Sequence, residues 1–433
     1  METNFPRRNA LHRMPVWCRR LLVGTVAFVL FVGGIHWYQR HQINVIYTKW
    51  RAEGLPTNRE ELAKYSRPPV GGTDNSALWL PAIEKATNTI FRVLETRRQN
   101  DNSSFQMLSH TPPSPGEPWD RRADVESFLK QLAPEIQALY HAAQAGGQAR
   151  YPVGYRGDIQ TVSGLLWLES RTARYHRDNP RRFQAIQAIL ALSNTREGAA
   201  EGFAWGTDGL DEVIDFLNEE PTDDRMLNEF QKLICQVDYL DVTRTCMAYE
   251  LVDRVDYVQE RSRFPFATAN EFDMLRRLES RPAHTRSWAE MLTELTSFSK
   301  RMKALNTSRW LNSMRFDERR SGTAFDSLVE FQDLATTMAS NHVSQACLNA
   351  LLAAERHRLR HGSYPATISA IDVDLIGKGR DGSTSLVDPI LGKPLSYRLT
   401  DSSLSVYCVH ESWPYDFDGY FQPVDIRYSV KRK

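Results

Sequence analysis

Hydrophobic and polar positions follow three different rhythms along the chain. The first is an uncharged apolar run, "LLVGTVAFVLFVGGI" from Leu21 to Ile35, closed by Trp37 and Tyr38. Counted out to Tyr38, it predicts a helix of about 27 Å at 1.5 Å per residue, slightly short of a roughly 30 Å hydrocarbon core. Snorkelling of Arg20 and local thinning of the bilayer cover the difference. The second rhythm, over residues 120–260, is helical. Phe183, Ile186, Ile189 and Leu190 form one apolar stripe, and Leu210, Val213, Ile214 and Leu217 repeat it at i, i+3, i+4 and i+7. The third is strict alternation near the end, with Leu395, Tyr397 and Leu399 on one predicted strand and Leu404, Val406 and Cys408 on the next.

Turn and cap residues divide these regimes. In "GLPTNREELAKY", Thr57 and Glu60 have the spacing of a capping box, and Asp74 or Asn75 caps the helix that follows "RPPVGG". Residues 98–118 are rich in Ser, Asn and Pro and read as a surface loop or linker. "HRDNPRRFQ" marks a helix start, with Asp178 or Asn179 as cap and Pro180 at the first helical position; "EEPTDDRML" marks another, with Thr222 as cap. Residues 262–322 are mixed around a helix near 287–304. From Thr323 a long helical pattern runs to His361, with an interruption expected near Ser340 and Asn341. The expected organisation is a basic leader at 1–20, a membrane span at 21–38, a helical stalk and linker at 39–119, an α-helical hairpin body at 120–322, and a long helix with a C-terminal β-hairpin module at 323–433. The fold class is therefore mainly α: an N-terminal transmembrane helix, a helical-hairpin body of tetratricopeptide-like character, and a small α+β module. The usual Trp, Gly, Tyr and Ala positions of that repeat do not align, so the body is repeat-like only.

The flanks of the apolar run set the expected location. Arg7, Arg8, Arg13, Arg19 and Arg20 precede it, against Arg40, Lys49 and Arg51 after it. The positive-inside rule then places the N-terminus in the cytoplasm and the main domain outside it, as a single-pass protein of a bacterial cytoplasmic membrane held in the lipid bilayer by its signal anchor. A cleaved signal peptide is the alternative, with Val32 and Gly34 as small residues before a cut; the long arginine-bearing leader and the lack of an A-x-A favour the anchor. Across all 433 residues, 54 Lys and Arg balance 53 Asp and Glu, a net charge of +1, so no global field points to nucleic acid. Of the five cysteines, Cys235, Cys246, Cys347 and Cys408 follow the span and none forms a C-x-x-C pair, which argues against a zinc site.

Candidate chemistry is sparse. His357 and His361 in "ERHRLRHG" stand four apart, a spacing that brings two imidazoles to one metal. Arg356, Arg358 and Arg360 surround them and repel a cation, so a basic last turn capped by Gly362 is the preferred reading. The acids Glu219, Glu220, Asp223 and Asp224 lack the order of a calcium loop and read as solvated loop and helix-cap residues. Asp416 and Asp418 beside Gly419 are too few for a calcium assignment. No G-x-S-x-G elbow, H-E-x-x-H helix or phosphate-cradling glycine loop occurs, and Trp167, Trp288 and Trp310 read as core or groove residues. No catalytic, cofactor-binding or metal residue is assigned, and no cofactor is expected.

The two alternating strands need support, because an isolated hairpin is marginal in water. The preceding helix offers Val343, Cys347, Ala350 and Ala354 along one stripe. If that stripe meets the hairpin, Cys347 and Cys408 face each other, either bridged in an oxidising compartment or as two buried thiols.

The segments "AERHRLRHGSYPATISAI", "LVDPILGKPLSYR" and "LSVYCVHESWPYDFDG" resemble the C-terminal region of type II secretion major pseudopilins. In that family a long helix ends in an asparagine-glycine-x-tyrosine-proline turn, and a D-P-x-G-x-P-x-x-Y segment leads into a hairpin and an aspartate-glycine loop that often holds calcium. Here His361, Gly362, Tyr364 and Pro365 stand at the first motif. Asp388, Pro389, Gly392, Pro394 and Tyr397 stand at the second, with one extra residue before the glycine, and Asp418 and Gly419 at the loop. The span lacks the family's processing site and glutamate, and almost 300 residues separate it from the module, so polymerisation into a pilus is not implied. Over nearly its full length the chain also resembles a group of uncharacterised membrane-anchored proteins from planctomycete-type bacteria. Together these readings lead to an expectation of a non-enzymatic interaction or scaffold protein of the bacterial envelope, binding other envelope proteins and no nucleic acid. The alternatives are a secretion-system accessory subunit and an envelope hydrolase with a non-motif active site.

Overall fold

Helix α1, Val16–Ala52, carries the apolar run and extends well past Tyr38. The reason is local: no glycine or proline follows Ile35 until Gly54, so nothing stops the helix where its membrane-like segment ends. The structure, a computed structural model, describes residues 15–65, 73–100, 108, 111–146, 149, 158–194, 206–248, 252, 287–306, 318–379, 386–409 and 425–431. The chain divides into two compact units, Met1–Leu62 with Glu250–Ser280, and Ala63–Tyr249 with Arg281–Lys433.

In the first unit, α1 is long and apolar enough to cross a membrane, and its first half leaves Leu21, Val23, Phe28, Leu30, Phe31 and Trp37 exposed. Its second half changes character, burying Gln39, Ile43, Tyr47 and Trp50 at helical spacing. The cap of α2, Arg59–Tyr65, sits one residue later than the T-x-x-E spacing suggests. The Asn58 side chain accepts from the Glu61 N–H at 2.9 Å, and the Glu61 carboxylate reaches back to the Thr57 N–H and hydroxyl. Asn is the better cap, and Glu61 then takes the N3 role intended for Glu60. Desolvation pushes the Glu61 carboxyl up, but the Thr57 hydrogen bonds and the Arg51 guanidinium together hold it below its usual range.

The second unit is helical with one small sheet. Helices α3 (Ser76–Asn100), α4 (Arg122–Gln131), α5 (Ala133–Ala145), α6 (Asp158–Tyr175), α7 (Asn179–Asn194), α8 (Gly206–Glu219) and α9 (Asp224–Cys235) form its body. A helical stretch at 239–248, then α10 (Trp288–Asn306) and α11 (Glu318–His361), complete the described helices. Helix α7 is central, packed against α5, α6, α8 and α9. Its predicted stripe is buried at Ile186, Ile189 and Leu190, but so are Ala185, Ala188, Ala191 and Leu192, because the helix is covered on more than one side. The larger core residues around it are Trp79, Ile83, Phe128, Leu132, Leu139 and Leu165. Burial of each large apolar side chain stabilises the body by roughly 1.5–3 kcal/mol.

Several boundaries differ from the pattern. Asp178 caps α7, accepting from the Arg181 N–H, which places Pro180 one residue inside the first helical position. Asp223, not Thr222, caps α9 through the Met226 N–H at 2.7 Å, consistent with the stronger capping of Asp over Thr. Helix α11 runs without a break through Ser340 and Asn341.

The C-terminal module has three antiparallel strands where the alternation predicts two. They are β1 (Ser396–Leu399), β2 (Ser403–Val409) and β3 (Asp425–Lys431), in the order β1-β2-β3. The register sets Leu399 opposite Leu404, Val406 opposite both Tyr397 and Tyr428, and Cys408 opposite Ile426. These residues share one face, and the sheet packs on α11 through β2 and β3. The α11 stripe of Val343, Cys347, Ala350 and Ala354 is fully buried. Cys347 and Cys408 are buried and carry thiols rather than a shared disulfide, as do Cys235 and Cys246.

Candidate functional site

A buried polar seam runs along α11, where it meets α9 and the second of two short 3₁₀ segments, Ile368–Ala370 and Val373–Leu375. Asn349 holds the backbone of Gly377 from both sides: its Oδ1 accepts the Gly377 N–H at 3.0 Å, and its Nδ2 donates to the Gly377 carbonyl at 3.2 Å. Gln231 on α9 donates to Asn349 Oδ1 at 3.0 Å and to the Leu375 carbonyl at 3.1 Å, while its Oε1 accepts from Arg356 Nη1 at 2.9 Å. Arg356 completes the chain with a fork onto Asp224, Nε to Oδ1 at 2.6 Å and Nη2 to Oδ2 at 3.4 Å. One turn closer to the start of α11, Gln345 donates to the Ile234 and Val237 carbonyls at the end of α9. Buried amides and guanidinium groups cost little only when partnered in this way.

The end of α11 is organised by the residues of the first motif. Gly362 lies in the left-handed region at φ +80°, and its N–H reaches the Arg358 carbonyl at 2.7 Å. Tyr364 donates its hydroxyl back to Glu355, which also accepts from Arg358 Nε at 2.9 Å. Tyr397, from the second motif, donates to the Pro365 carbonyl at 2.6 Å. In that second motif Asp388 is buried, and its Oδ1 accepts the N–H groups of Ile390 and Leu391 in a turn that Gly392 closes at φ +65°. The Tyr397 hydrogen bond thus ties β1 to the end of the helix, and the Asp388–Gly392 turn leads the chain towards that strand.

At the same helix end, His357 and His361 lie against each other with ring centroids 4.3 Å apart and planes tilted by 41°. The turn between the two short 3₁₀ segments brings Asp372 against them. His361 Nε2 is 2.8 Å and His357 Nδ1 3.7 Å from Asp372 Oδ2. His357 Nδ1 is buried with no hydrogen-bond partner. The three arginines expected to repel a cation each have an acid of their own: Arg356 has Asp224, Arg358 has Glu355, and Arg360 has Asp374 at 2.8 Å with Asp372 at 3.6 Å. The His361 hydrogen bond holds the Asp372 carboxyl below its usual range, while desolvation and then the neighbouring His361 depress His357. Among the described residues, His357, His361 and Asp372 are a set whose geometry suits a metal ion.

The four acids read as solvated loop and helix-cap residues are exposed or half-buried, and each is also held by a cation or the backbone. Glu219 pairs with Arg174 and with the fully buried Arg182, Glu220 with Asn179 and Arg182, Asp223 caps α9, and Asp224 receives Arg356. Behind them, Glu212 is buried beside Arg171 and Ser170; burial raises its carboxyl, and Arg171 opposes that rise. Trp167 lies partly buried under Arg171, and Trp288 is a core residue that donates to His342 Nδ1 at 2.7 Å. Trp310, Asp416, Asp418 and Gly419 lie outside the described residues. Sequence reasoning missed Asp372, Asn349, Gln231 and Arg182. The signal for Arg182 is its place on the apolar face of α7, one residue before Phe183 and four before Ile186. No family model, no curated protein and no solved structure matches the chain.

Proposed function

We propose that the chain is a membrane-anchored protein of the bacterial envelope whose body lies outside the cytoplasm and acts by binding other envelope proteins rather than by catalysis. The observation that carries this reading is the exposed apolar surface of the first half of α1, where leucines, valines, phenylalanines and a tryptophan face outward over several turns. A contiguous apolar surface of that length is costly in water and stable in lipid. The arginine excess before the run supports a cytoplasmic N-terminus. The helical body, in the repeat-like hairpin reading, offers faces for partners, and a scaffold role fits the buried polar groups of α9 and α11, which are spent on holding elements together.

The residues that carry the resemblance to pseudopilins are turn and tie residues in this fold: Gly362 and Gly392 take left-handed turns, Asp388 holds the second of them, Tyr364 bonds back to Glu355, and Tyr397 ties β1 to the Pro365 carbonyl. On that observation a secretion-system accessory subunit is the second reading. The test is twofold. Alkaline phosphatase fused after Lys433 is active if the body is extracytoplasmic and silent if the orientation is reversed. Crosslinking and affinity capture from native membranes should then return envelope proteins. A purified chain that is captured with none, and turns over esterase or peptidase substrates, overturns the scaffold reading.

A further inference from the structure

We propose that His357, His361 and Asp372 form a binding site for a first-row divalent cation, Zn²⁺ foremost, that clamps the end of α11 to the segment 371–377. The set is the one that zinc prefers: two neutral imidazoles and one carboxylate, with a fourth position open to water. Imidazole nitrogens select Zn²⁺ over Ca²⁺ and Mg²⁺, which take oxygen ligands. The helix supplies the first two ligands by the i, i+4 rule, and the rings already lie against each other at 4.3 Å. The third ligand approaches from a different element, eleven residues beyond His361, so its meeting with the histidines is a product of the fold.

Two distances decide the fit. Ligands about 2.0–2.1 Å from a tetrahedral zinc stand about 3.3 Å from each other. The observed separations from Asp372 Oδ2, 2.8 Å to His361 Nε2 and 3.7 Å to His357 Nδ1, bracket that value. All three ligand atoms lie within 4.8 Å of one another. A second observation points the same way: His357 Nδ1 is buried and lacks a hydrogen-bond partner. A ring nitrogen so placed is destabilising unless something coordinates it. The local charge also favours a cation, because Arg356, Arg358 and Arg360 are met by Asp224, Glu355, Asp374 and Asp372, four carboxylates for three guanidinium groups. When the ion enters, it takes the Nε2 lone pair of a neutral His361 whose ring proton sits on Nδ1, so the ion replaces the hydrogen bond to Asp372, and Arg360 falls back on Asp374 alone.

Asn349 gives the clamp its anchor. It fixes Gly377, at the far end of the same segment, through two backbone hydrogen bonds. The cation would fix the near end at Asp372. The site goes beyond the scaffold reading and does not depend on it, since the ligands and their distances stand whatever the chain binds.

The experiment uses the full chain, untagged with histidine, in detergent micelles. Isothermal titration with ZnCl₂ should show one site that excess Ca²⁺ does not displace, and CoCl₂ should give the visible absorption of tetrahedral cobalt. H361A and D372N should each weaken binding at least tenfold, and R360A should tighten it, because Asp372 loses a competing cation. Amide hydrogen exchange over residues 366–377 should slow when Zn²⁺ is added to the native chain and stay unchanged in D372N. The R360A arm guards against misfolding, since a gain in affinity cannot come from damage. Absence of a Zn²⁺ site in the native chain, or a site of equal affinity in both H361A and D372N, overturns the proposal.

Discussion

Lowering the pH should weaken the second unit through one residue, His342, and the effect can be sized from its surroundings. The ring stands between Trp288 and Tyr239, with centroids 6.1 and 6.0 Å away, and its Nδ1 accepts the Trp288 indole N–H at 2.7 Å. Burial pushes its pKa down to about 4 from 6.5, and the carboxylates of Asp238 and Asp388 only partly oppose that shift. The folded chain therefore holds His342 neutral in a range where the unfolded chain protonates it. The sign follows: stability is full above pH 6.5, and it falls as the pH drops from there towards 4, because the unfolded state binds the extra proton. At 1.36 kcal/mol per pH unit the loss has a ceiling of about 3 kcal/mol, and the rim of the ring that still meets water trims it to about 2 kcal/mol. Protonation also turns Nδ1 from an acceptor into a donor facing the Trp288 donor, so the indole loses its partner. The informative substitution is His342→Asn, whose Oδ1 can stand where Nδ1 stands and does not titrate. Chemical unfolding of wild type and variant at pH 7.5, 6.0, 5.0 and 4.5, followed by circular dichroism, isolates the term, since every other group titrating in that window cancels in the difference. The wild type should lose stability relative to the variant by about 2 kcal/mol across the series. Parallel profiles for the two proteins refute the reasoning.

Three further outcomes follow from single sites. Gly377→Ala should destabilise by about 1–3 kcal/mol in the same unfolding assay, because a Cβ there would lie 2.6 Å from Asn349 Oδ1 and 2.7 Å from Cys235 Sγ, at the clamp the Asn349 amide makes. Arg177→Gly should stabilise by about 0.5–1 kcal/mol in thermal unfolding: Arg177 is exposed, sits at φ +57° in the turn from α6 to α7, and occupies the position where helix ends favour glycine. Cys235, whose thiol burial pushes up to about 12, should resist iodoacetamide in the native chain at pH 8, and the buried Cys347 and Cys408 should also be alkylated only after denaturation. Mass spectrometry of the peptides reads all three, and a native disulfide between Cys347 and Cys408 contradicts the unbridged state.

Much of the fold is legible in the chain because period and caps are local properties. The apolar run, the stripes of α7 and α8 and the alternation of β1 and β2 each follow from spacing alone. The misses have equally local causes in two cases. The apolar run and the helical stalk expected after it form one helix, α1, whose exact end near Gly54 hydropathy does not mark. The caps of α2 and α9 were given to Thr57 and Thr222 although Asn58 and Asp223, the stronger cappers, stand next to them. Strand β3 was within reach, since Ile426, Tyr428 and Val430 alternate, but its partner in the register lies across a long connection. The candidate site is another matter. Asp372 meets His361, Gln231 meets Asn349 and Asp224 meets Arg356 only because separate elements are packed together, and a single sequence carries no term for such pairs.

The polar residues of α11 also explain how a helix with small apolar residues finds one position. Buried along α11 are Val343, Cys347, Ala350 and Ala354, a smooth stripe on which a slide by one turn would change little of the area buried. Facing α9 and the 371–377 segment are Gln345, Asn349 and Arg356, and each is tied to a fixed partner: the end of α9, the Gly377 backbone and Asp224. A slide of about 5.4 Å, one helical turn, breaks all three at once and leaves buried amide and guanidinium groups unpartnered, at about 1–3 kcal/mol for each neutral group and more for the charge. The apolar stripe thus supplies the adhesion and the polar stripe supplies the register. That division is why His357 and His361, about two and about three turns beyond Asn349, arrive opposite Asp372 rather than a turn away from it.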